Sequence, residues 1–415
     1  MYYMDTGRLP FSAFYIRNFR LFWIAQLISL SGTWMHMVGQ GWLVYQLTHS
    51  PLYLGFAGAA LSLPILIFTL FGGILADRHS KRTILIITQF LSIFPPLLLG
   101  ILTFTGKITV WHAIAIAFVI GTINAFDLPV RQSFLIEMVG KGRLMNAIAL
   151  NSASFHGARI LGPLIAGLVI SRLGLSACFF INAVSFIPVV IALRGMALEE
   201  KTKKGDKKDI LYELREGFHF MLGKKDIMTM ISIIIVFSLF GLPYNHFLPV
   251  FAEDVLKIGA SGLGYMMSAA GLGAFSAAMI IAFRGDIRNK QGTIAIASVI
   301  FPVALIVFTF STQFWLSMAL LLTFGLTLVS FFATANSFIQ MGVPDELRGR
   351  VMSVYSLVFL GMVPVGSFTL GFIADVIGTK RALMASATVC LLSGIAYSRV
   401  LISKNKKEPR PRTRR

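Results

Sequence analysis

Residues 52–82 read LYLGFAGAALSLPILIFTLFGGILADRHSKR, a long apolar run that ends in a short basic turn. The run 52–76 holds no charged residue. It is longer than the roughly 20 residues that a helix needs to cross the hydrocarbon core of a bilayer. The turn carries Asp77, Arg78, Lys81 and Arg82 before the next apolar run begins. This pattern predicts membrane-spanning helices rather than a soluble domain.

The same alternation of apolar run and short turn recurs along all 415 residues. Charged residues make up only 13% of the chain, against about 25% in soluble domains, and the mean hydropathy is +0.77. We expect twelve spans, at residues 20–46, 52–76, 83–104, 109–133, 144–172, 174–194, 226–251, 260–283, 291–310, 313–338, 348–374 and 378–402. Helices satisfy their own backbone hydrogen bonds in lipid, so the expected fold is all-α.

The net charge of +19 follows the predicted topology. With the N-terminus inside, all but six of the 37 Lys and Arg residues fall on the cytoplasmic side. The exceptions are Lys107, Arg172, Lys257, Lys380 and Arg381 on the outer side, and Arg159 within a span. The distribution predicts a multi-pass protein of the cell membrane with both termini cytoplasmic. A nucleic-acid partner is not needed to explain the charge.

One long polar stretch, 195–225, separates six spans from six. We expect an N-terminal six-helix bundle at 1–198, a cytoplasmic linker at 199–225, a C-terminal bundle at 226–402 and a disordered basic tail at 403–415. Within the linker, 209–222 has apolar residues at helical spacing, which predicts an amphipathic helix lying flat on the inner leaflet.

An internal repeat relates the two sets of six spans. At an offset of 204, Gly157, Gly162, Gly167 and Gly174 coincide with Gly361, Gly366, Gly371 and Gly378. At an offset of 209, Leu54-Gly55 coincides with Leu263-Gly264. Because both registers pair the same ordinal spans, the repeat predicts two pseudo-symmetric six-helix bundles with a substrate path between them.

The turn 72–82 resembles the signature of the major facilitator superfamily, with Gly73 followed by Asp77-Arg78 and then two basic residues. Ser80 stands where that family usually has Gly. Residues 127–174, residues 345–378 and Gly41-Trp42-Leu43 resemble one branch, which contains the enterobactin exporter, transmembrane secretion effectors and macrolide-efflux proteins. The resemblance implies the major facilitator fold and ion-coupled export of a small molecule by alternating access.

The resemblance also implies residue roles. Gly73, Asp77, Arg78, Lys81 and Arg82 would form a conformational latch, and Asp127, at the inner end of span 4, would meet the bases of the turn. A second group, Gly157, Gly162, Pro163 and Gly167, resembles the fifth-helix motif of antiporters; helix packing alone and a direct coupling role both remain open.

A third group of candidates is polar and lies within the spans. Arg159 is costly in the middle of a span unless it faces a partner or a wet cavity, and His156 is one turn before it. Spans 1, 4, 7 and 10 line the cavity in the superfamily. The candidate cavity residues are His36, Gln40, Asn124, His156, Arg159, Tyr244, Asn245 and His246. The alternative for each is a structural helix–helix hydrogen bond.

The chain has no P-loop, no HExxH or GxSxG motif and no metal-spaced Cys/His cluster. We therefore expect a transporter that is not an enzyme and uses no cofactor or metal. The expected activity is export of a siderophore, macrolide or other drug-like metabolite by proton antiport, with histidines as groups that titrate near neutral pH. The alternatives are an importer or lysophospholipid flippase on the same fold, and a non-transporting membrane scaffold.

Overall fold

The computed structural model describes residues 12–196, 210–284, 287 and 289–407. Side chains at positions 70, 74, 76, 77, 141, 210–214, 284 and 401–407 lie outside this description. The described residues form helices and short connections and include no strand. Twelve of the helical segments are long and apolar enough to cross a membrane, and each coincides with one predicted span, with ends that differ by several residues.

The spans are numbered in chain order. They are Arg17–Thr48 (span 1), Pro51–Arg78 (span 2), Lys81–Leu91 with Phe94–Phe104 (span 3), Val110–Val139 (span 4), Leu144–Leu173 (span 5), Leu175–Ser185 with Ile187–Arg194 (span 6), Lys225–Val255 (span 7), Gly259–Arg284 (span 8), Lys290–Phe310 (span 9), Phe314–Met341 (span 10), Asp345–Ile377 (span 11) and Thr379–Lys407 (span 12). Short 3-10 helices, Ser12–Tyr15 and Lys141–Arg143, precede spans 1 and 5.

Three spans are interrupted where proline removes a backbone donor. Pro95 and Pro96 begin the second helix of span 3, and Pro188 begins that of span 6. Span 7 changes from the α-helix Lys225–Val236 to the π-helix Phe237–Gly241, the 3-10 helix Leu242–Phe247, the α-turn Leu248–Val250 and the π-helix Phe251–Val255. Pro243 and Pro249 lie in these irregular segments, so span 7 is the least regular of the twelve.

The glycines of the repeat lie at equivalent helix crossings. In the contact of span 11 with span 2, a Cβ on Gly371 would lie 2.9 Å from the Cα of Gly55. In the contact of span 8 with span 5, a Cβ on Gly264 would lie 3.2 Å from the Cα of Gly167. Gly55 and Gly264 are repeat partners, as are Gly167 and Gly371. The two bundles therefore meet at two crossings related by the repeat, each requiring glycine for close backbone approach.

The repeat also relates helix contacts within one bundle to equivalent contacts within the other. Gly162 of span 5 packs on the backbone of span 1 at Ser31, and its partner Gly366 of span 11 packs on the backbone of span 7 at Leu239. Gly121 of span 4 packs on span 2, as Gly325 of span 10 does on span 8. These shared contacts confirm a duplicated helical framework.

The linker contains a helix, Ile210–Leu222, at the position of the predicted amphipathic helix. It packs on the start of span 11. Glu216 pairs with Arg350 at 2.5 Å, and Met221 is fully buried. The absence of a side chain on Gly217 lets the helix approach the carbonyl of Arg350 closely. Span 12 continues as helix to Lys407, which includes the start of the expected disordered tail. Residues 408–415 of the tail and residues 197–209, which include 199–209 of the linker, lie outside the described residues.

Candidate functional site

The N-terminal half, spans 1–6, contains a buried hydrogen-bond network centred on Asp127. Its carboxylate is 1% exposed and accepts hydrogen bonds from Thr88 Oγ1 at 2.8 Å and Gln89 Nε2 at 2.7 Å. Its other oxygen pairs with the guanidinium of Arg131, one helical turn later on span 4. A buried carboxylate needs such partners, since an uncompensated charge in a protein interior is costly. Spans 3 and 4 are thus joined by a closed polar cluster.

A second polar chain starts at His36 on span 1. Gln40 Nε2 donates to the carbonyl of Ala113 at 2.9 Å, so its Oε1 is the acceptor. His36 Nε2 lies 3.1 Å from that oxygen and therefore donates to it. In neutral imidazole the other nitrogen, Nδ1, is then an acceptor, and it is buried without a partner among the described residues. The His36 ring also packs edge-on against Phe179 at 5.1 Å.

A cavity of about 310 Å³ lies between these two clusters. Its polar lining includes Gln26, His36, Gln40, Gln89, Asn124, Arg131 and Asn182, and its apolar lining includes Trp34, Phe155 and Phe186. All the described lining residues belong to spans 1–6. The sequence-based candidates His36, Gln40 and Asn124 are therefore brought together, whereas Gln26, Gln89 and Arg131 were missed because a lone amide or an i+4 arginine gives no distinctive sequence signal.

Arg159 lies on span 5 at the edge of this region. Its guanidinium lies 5.4 Å from the centre of the Trp34 ring, a cation–π contact that offsets part of the penalty for a charge in a span. Phe155 contacts both Trp34 and His156 edge-on. The alternative pairing of Arg159 with Asp127 is not observed, because Asp127 pairs with Arg131. The backbone of Arg159 contacts Gly271 of span 8, where the two halves meet.

The Tyr244-Asn245-His246 segment is divided between two environments. Tyr244 is 2% exposed and packs against Phe301 and Phe324, with the Phe324 ring 5.0 Å away. Asn245 and His246 line a small cavity of about 50 Å³ between the halves, together with Gln40 of span 1. The His246 ring fits against Gly58, where a Cβ would lie 2.8 Å from it. Of the segment, Asn245 and His246 are therefore placed beside the N-terminal half.

The turn between spans 2 and 3 is held by contacts within the N-terminal half. Lys81 pairs with Glu137 of span 4, and Arg82 donates to the carbonyls of Leu193 and Arg194, each at 2.8 Å. The expected contact of Asp127 with these bases is absent, because its carboxylate is already occupied by Thr88, Gln89 and Arg131. Glu137 is instead the acid that meets the turn.

The other residues of the predicted latch, Gly73, Asp77 and Arg78, have no described contact of this kind. Arg78 is exposed, and the side chain of Asp77 lies outside the described residues. Gly73 has open space where a Cβ would stand, whereas the neighbouring Gly72 approaches span 4 closely, since a Cβ there would lie 2.5 Å from the carbonyl of Ala125. The required close approach on span 2 is therefore one residue earlier than the signature glycine.

The fifth-helix group lies where span 5 meets spans 1 and 8. Gly162 packs on Ser31, Gly167 packs on Ser261, and Pro163 presents its carbonyl to Gly264. Gly157 has no atom within 4 Å of its Cβ position. Three of the four residues therefore lie at close helix contacts, and two of them, Pro163 and Gly167, meet the C-terminal half.

The two halves, spans 1–6 and 7–12, are hydrogen-bonded on one side of the molecule. We call the side with loops 78–81, 139–144 and 341–345 the basic side. The side with loops 48–51, 173–175 and 377–379 is the opposite side. On the opposite side, Tyr45 donates to Asp254, and Ser50 donates to Asp375 at 2.7 Å. Both Gly crossings lie there too. The structure is therefore closed on the opposite side.

Toward the basic side, a gap of about 300 Å³ lies between spans 2 and 11. It is lined by Ile65, Thr69, Met352 and Ser356 among others. Ile65 also lines the large cavity of the N-terminal half. The arrangement provides a polar chamber within one bundle, closed on one side and bordered by a gap on the other.

Comparison with known proteins agrees with this architecture. Residues 8–414 match the protein family described as transmembrane secretion effector. The chain is 24% identical over 387 residues to the staphyloferrin A transporter of Staphylococcus aureus, covering 90% of this chain and 94% of that protein. It is 24% identical over 380 residues to the multidrug efflux pump Tap of Mycolicibacterium fortuitum, covering 89% and 92%.

The fold superposes on the inward-facing, unoccupied crystal structure of a bacterial homologue of the human lysosomal transporter Spinster. The TM-score is 0.75 with 12% sequence identity, and the match covers 95% of this chain and 98% of that one. The chain therefore belongs to the transmembrane secretion effector family, and it is a multi-pass membrane protein of the major facilitator type.

Proposed function

We propose that this transporter exports a small amphipathic molecule of the siderophore or drug class from the cytoplasm by alternating access. The observation that carries the proposal is the chamber of spans 1–6, bordered toward the basic side by the gap between spans 2 and 11, in a structure whose halves meet at the Gly55–Gly371 and Gly167–Gly264 crossings. The positive-inside rule assigns the basic side to the cytoplasm. A substrate would enter from there and leave after the crossings on the opposite side open.

The relatives support the substrate class. One is named for a siderophore and the other for multidrug efflux, each over about nine-tenths of this chain. An aromatic and amide-lined chamber of about 310 Å³ suits molecules of that kind, because ligand sites are mostly apolar with a few placed polar groups.

We further propose that the export is driven by proton antiport through Asp127. This is the one carboxylate among the described residues whose side chain is buried. Arg131 lines the chamber, so a change in its pairing with Asp127 would change the charge and the polarity of the chamber together.

The turn 72–82 would act as the latch of this cycle. The Lys81–Glu137 pair and the Arg82 hydrogen bonds join the ends of spans 3, 4 and 6 on the basic side. Asp77 would complete the latch in the conformation that is closed on the basic side. Replacement of Asp77 by Asn is expected to slow transport while leaving membrane insertion intact; wild-type transport rates in that variant would contradict the latch.

Transport in inverted membrane vesicles tests the export direction. Vesicles with the chain should accumulate a siderophore or a macrolide faster than vesicles without it, and right-side-out vesicles should not. Accumulation only in right-side-out vesicles would identify an importer, uptake of a labelled lysophospholipid alone would identify a flippase, and no flux of any of these would identify a scaffold.

The coupling has its own test in the same vesicles. An uncoupler should collapse accumulation, and Asp127→Asn should lose the part of transport that responds to a pH gradient while retaining substrate exchange. Asp345→Asn is the matched control, because Asp345 is an exposed acid paired with Arg348. Transport that persists without a pH gradient, or an unchanged pH response in Asp127→Asn, would exclude this coupling.

A further inference from the structure

The linker helix, Ile210–Leu222, has two apolar stripes in its described part, 215–222. Gly217 faces span 11, where a Cβ would lie 2.6 Å from a backbone carbonyl oxygen, and Met221, one turn later on the same side, is fully buried. Phe218 and Leu222 each follow one residue later, which places them about 100° further round the helix. These two side chains, which we call the exposed stripe, are 49% and 52% exposed. The helix therefore packs on the protein with one stripe and leaves the other half uncovered.

The linker helix lies at the level where two spans begin on the basic side. Only Gly223 and Lys224 separate its end from Lys225, the first residue of span 7. Its Glu216 pairs with Arg350, close to the start of span 11. The helix has 13 residues, so it is about 20 Å long. A helix held at this level by the starts of two spans lies along the membrane surface, and the positive-inside rule makes that surface the inner leaflet.

The charges around the exposed stripe are mainly basic. Arg215 and His219, one turn apart on the neighbouring side of the helix, are both exposed. Lys224 and Lys225, which we call the lysine pair, are exposed as well. They line a cleft of about 290 Å³ between the start of span 7 and the end of span 10, together with one acid, Asp226. An apolar stripe bordered by basic residues is typical of helices that lie in the interface of an anionic bilayer.

We propose that the linker helix and the lysine pair form a docking surface for anionic phospholipids of the inner leaflet. The exposed stripe would lie among the upper parts of the acyl chains, and Arg215 would extend its charge to the head groups. The lysine pair would bind the lipid phosphate in the cleft. Because Glu216 of the same helix pairs with Arg350, bound lipid would also hold the start of span 11 at the membrane surface. The inference goes beyond the proposed export and does not depend on which molecule is carried.

Fluorescence quenching by brominated lipids tests this surface on the full chain in nanodiscs. The reporter is a bimane label at Phe218→Cys; Cys178 and Cys390 are buried, and labelling of the unmodified chain corrects for them. Lipids brominated on their acyl chains should quench this label strongly, and likewise a label at Leu222→Cys, because both would lie in hydrocarbon. A label at His219→Cys is the matched control, one residue further round the helix, and should be quenched weakly.

The same label measures the preference for lipid charge. Brominated phosphatidylglycerol and brominated phosphatidylcholine, each mixed with the other lipid unbrominated, give their relative affinities at Phe218→Cys. One lysine near an anionic surface strengthens binding by about fivefold, so phosphatidylglycerol should be preferred by at least about that factor. Lys224→Gln with Lys225→Gln should remove most of the preference. Lys107→Gln with Lys380→Gln removes two exposed charges from the opposite side and should leave the preference unchanged.

Three results would overturn the proposal. The first is a label at Phe218→Cys that is quenched no more than the label at His219→Cys, because water or another protein would then cover the exposed stripe. The others are equal affinities for the two lipids with the lysine pair intact, and equal losses in the two lysine variants. If Phe218→Cys fails to fold, Leu222→Cys carries the same test. Because no flux is measured, a failure of export and a failure of this surface are separate results.

Discussion

The two halves share a framework but differ in what fills it. The interior of the N-terminal half buries amide, imidazole and carboxylate side chains, namely Gln26, His36, Gln40, Gln89, Asp127 and Asn182. In the described part of the C-terminal half, the buried polar residues other than tyrosine are all Ser or Thr. Its core is instead filled by fully buried phenylalanines, Phe237, Phe247, Phe251, Phe301, Phe308, Phe324 and Phe331.

The side chains that could bind a ligand therefore lie in the N-terminal half, whereas the interior of the C-terminal half is mainly an apolar supporting core. Many of the C-terminal hydroxyls bond to the backbone of their own helix, as Thr309 does with Ile306 at 2.7 Å. Such groups are satisfied locally and leave nothing for a ligand. The stacked rings of Phe237 and Phe331, 4.5 Å apart, fill space tightly. After duplication, the backbone crossings were retained in both halves, whereas the polar chamber belongs to one.

The shared framework predicts the largest effect. Gly167→Val and Gly371→Val would each force a side chain into the facing backbone, where a Cβ is already 2.9 Å from a Cα. Overpacking of this kind is unfavourable by roughly 1–3 kcal/mol, and here it falls on the contact that must open during transport. We expect both variants to lose at least about nine-tenths of the initial transport rate in vesicles matched for protein content.

Gly157→Ala is the control, because its Cβ would enter open space; it should transport normally. If one valine variant transports normally while the other does not, the two crossings are not equivalent and the shared framework does not extend to function.

The buried charge pair should give the next largest effect. Asp127→Asn leaves Arg131 without its carboxylate, and loss of one partner of a buried pair is unfavourable by about 3 kcal/mol. The double variant Asp127→Asn, Arg131→Gln removes both charges and should recover most of the thermal stability. Melting followed by intrinsic fluorescence in detergent measures both. A double variant no more stable than Asp127→Asn would show that the loss comes from the hydrogen bonds of Thr88 and Gln89 rather than from the unpaired charge.

Two acids of the C-terminal half, Asp254 and Asp375, lie at its rim and join it to the N-terminal half. Asp254 accepts from Tyr45, and Asp375 accepts from Ser50, both on the opposite side. Tyr45→Phe removes a hydrogen bond to a charged group, which contributes about 1.5 kcal/mol. We expect roughly a tenfold shift toward the conformation open on that side.

Distance measurements between spin labels on the two halves would detect the shift as a longer separation on the opposite side. Tyr53→Phe is a suitable comparison, because Tyr53 lies on span 2 and packs edge-on against Trp111 within its own half. An unchanged distance distribution in Tyr45→Phe would mean that the glycine crossings alone hold this side closed.

The framework was largely predictable from the sequence, because its signals are local. Apolar runs gave the twelve spans, and the offset of 204 that aligns Gly167 with Gly371 anticipated their equivalent crossings. The breaks in spans 3, 6 and 7 coincide with prolines that were visible in the sequence, but whether proline kinks a helix or ends it depends on packing around it.

The chamber was only partly predictable. His36, Gln40 and Asn124 were anticipated from the spans that line the superfamily's cavity. Gln89 was not, because span 3 is not among them, and Gln26 of span 1 was not, because a lone amide gives no distinctive sequence signal. Asp127 was matched to the wrong partner. Its choice of Arg131 over the basic turn depends on side-chain direction within one helix turn, and Glu137, nearly three turns further along span 4, pairs with Lys81 instead. Pairings between distant segments leave no mark in a single sequence.

The aromatic core of the C-terminal half should give the smallest effect, and only on stability. Phe324 packs against Tyr244, Phe301 and Phe308. Phe324→Leu keeps the site apolar and slightly underfilled, which should lower the free energy of unfolding by about 1 kcal/mol. Since no polar or charged group of the chamber is touched, the initial transport rate in vesicles matched for protein content should stay as in the wild type. A lower melting temperature with an unchanged rate assigns the C-terminal half a supporting role; a lower rate would mean that this half also shapes the transport site, and the division between the halves would have to be given up.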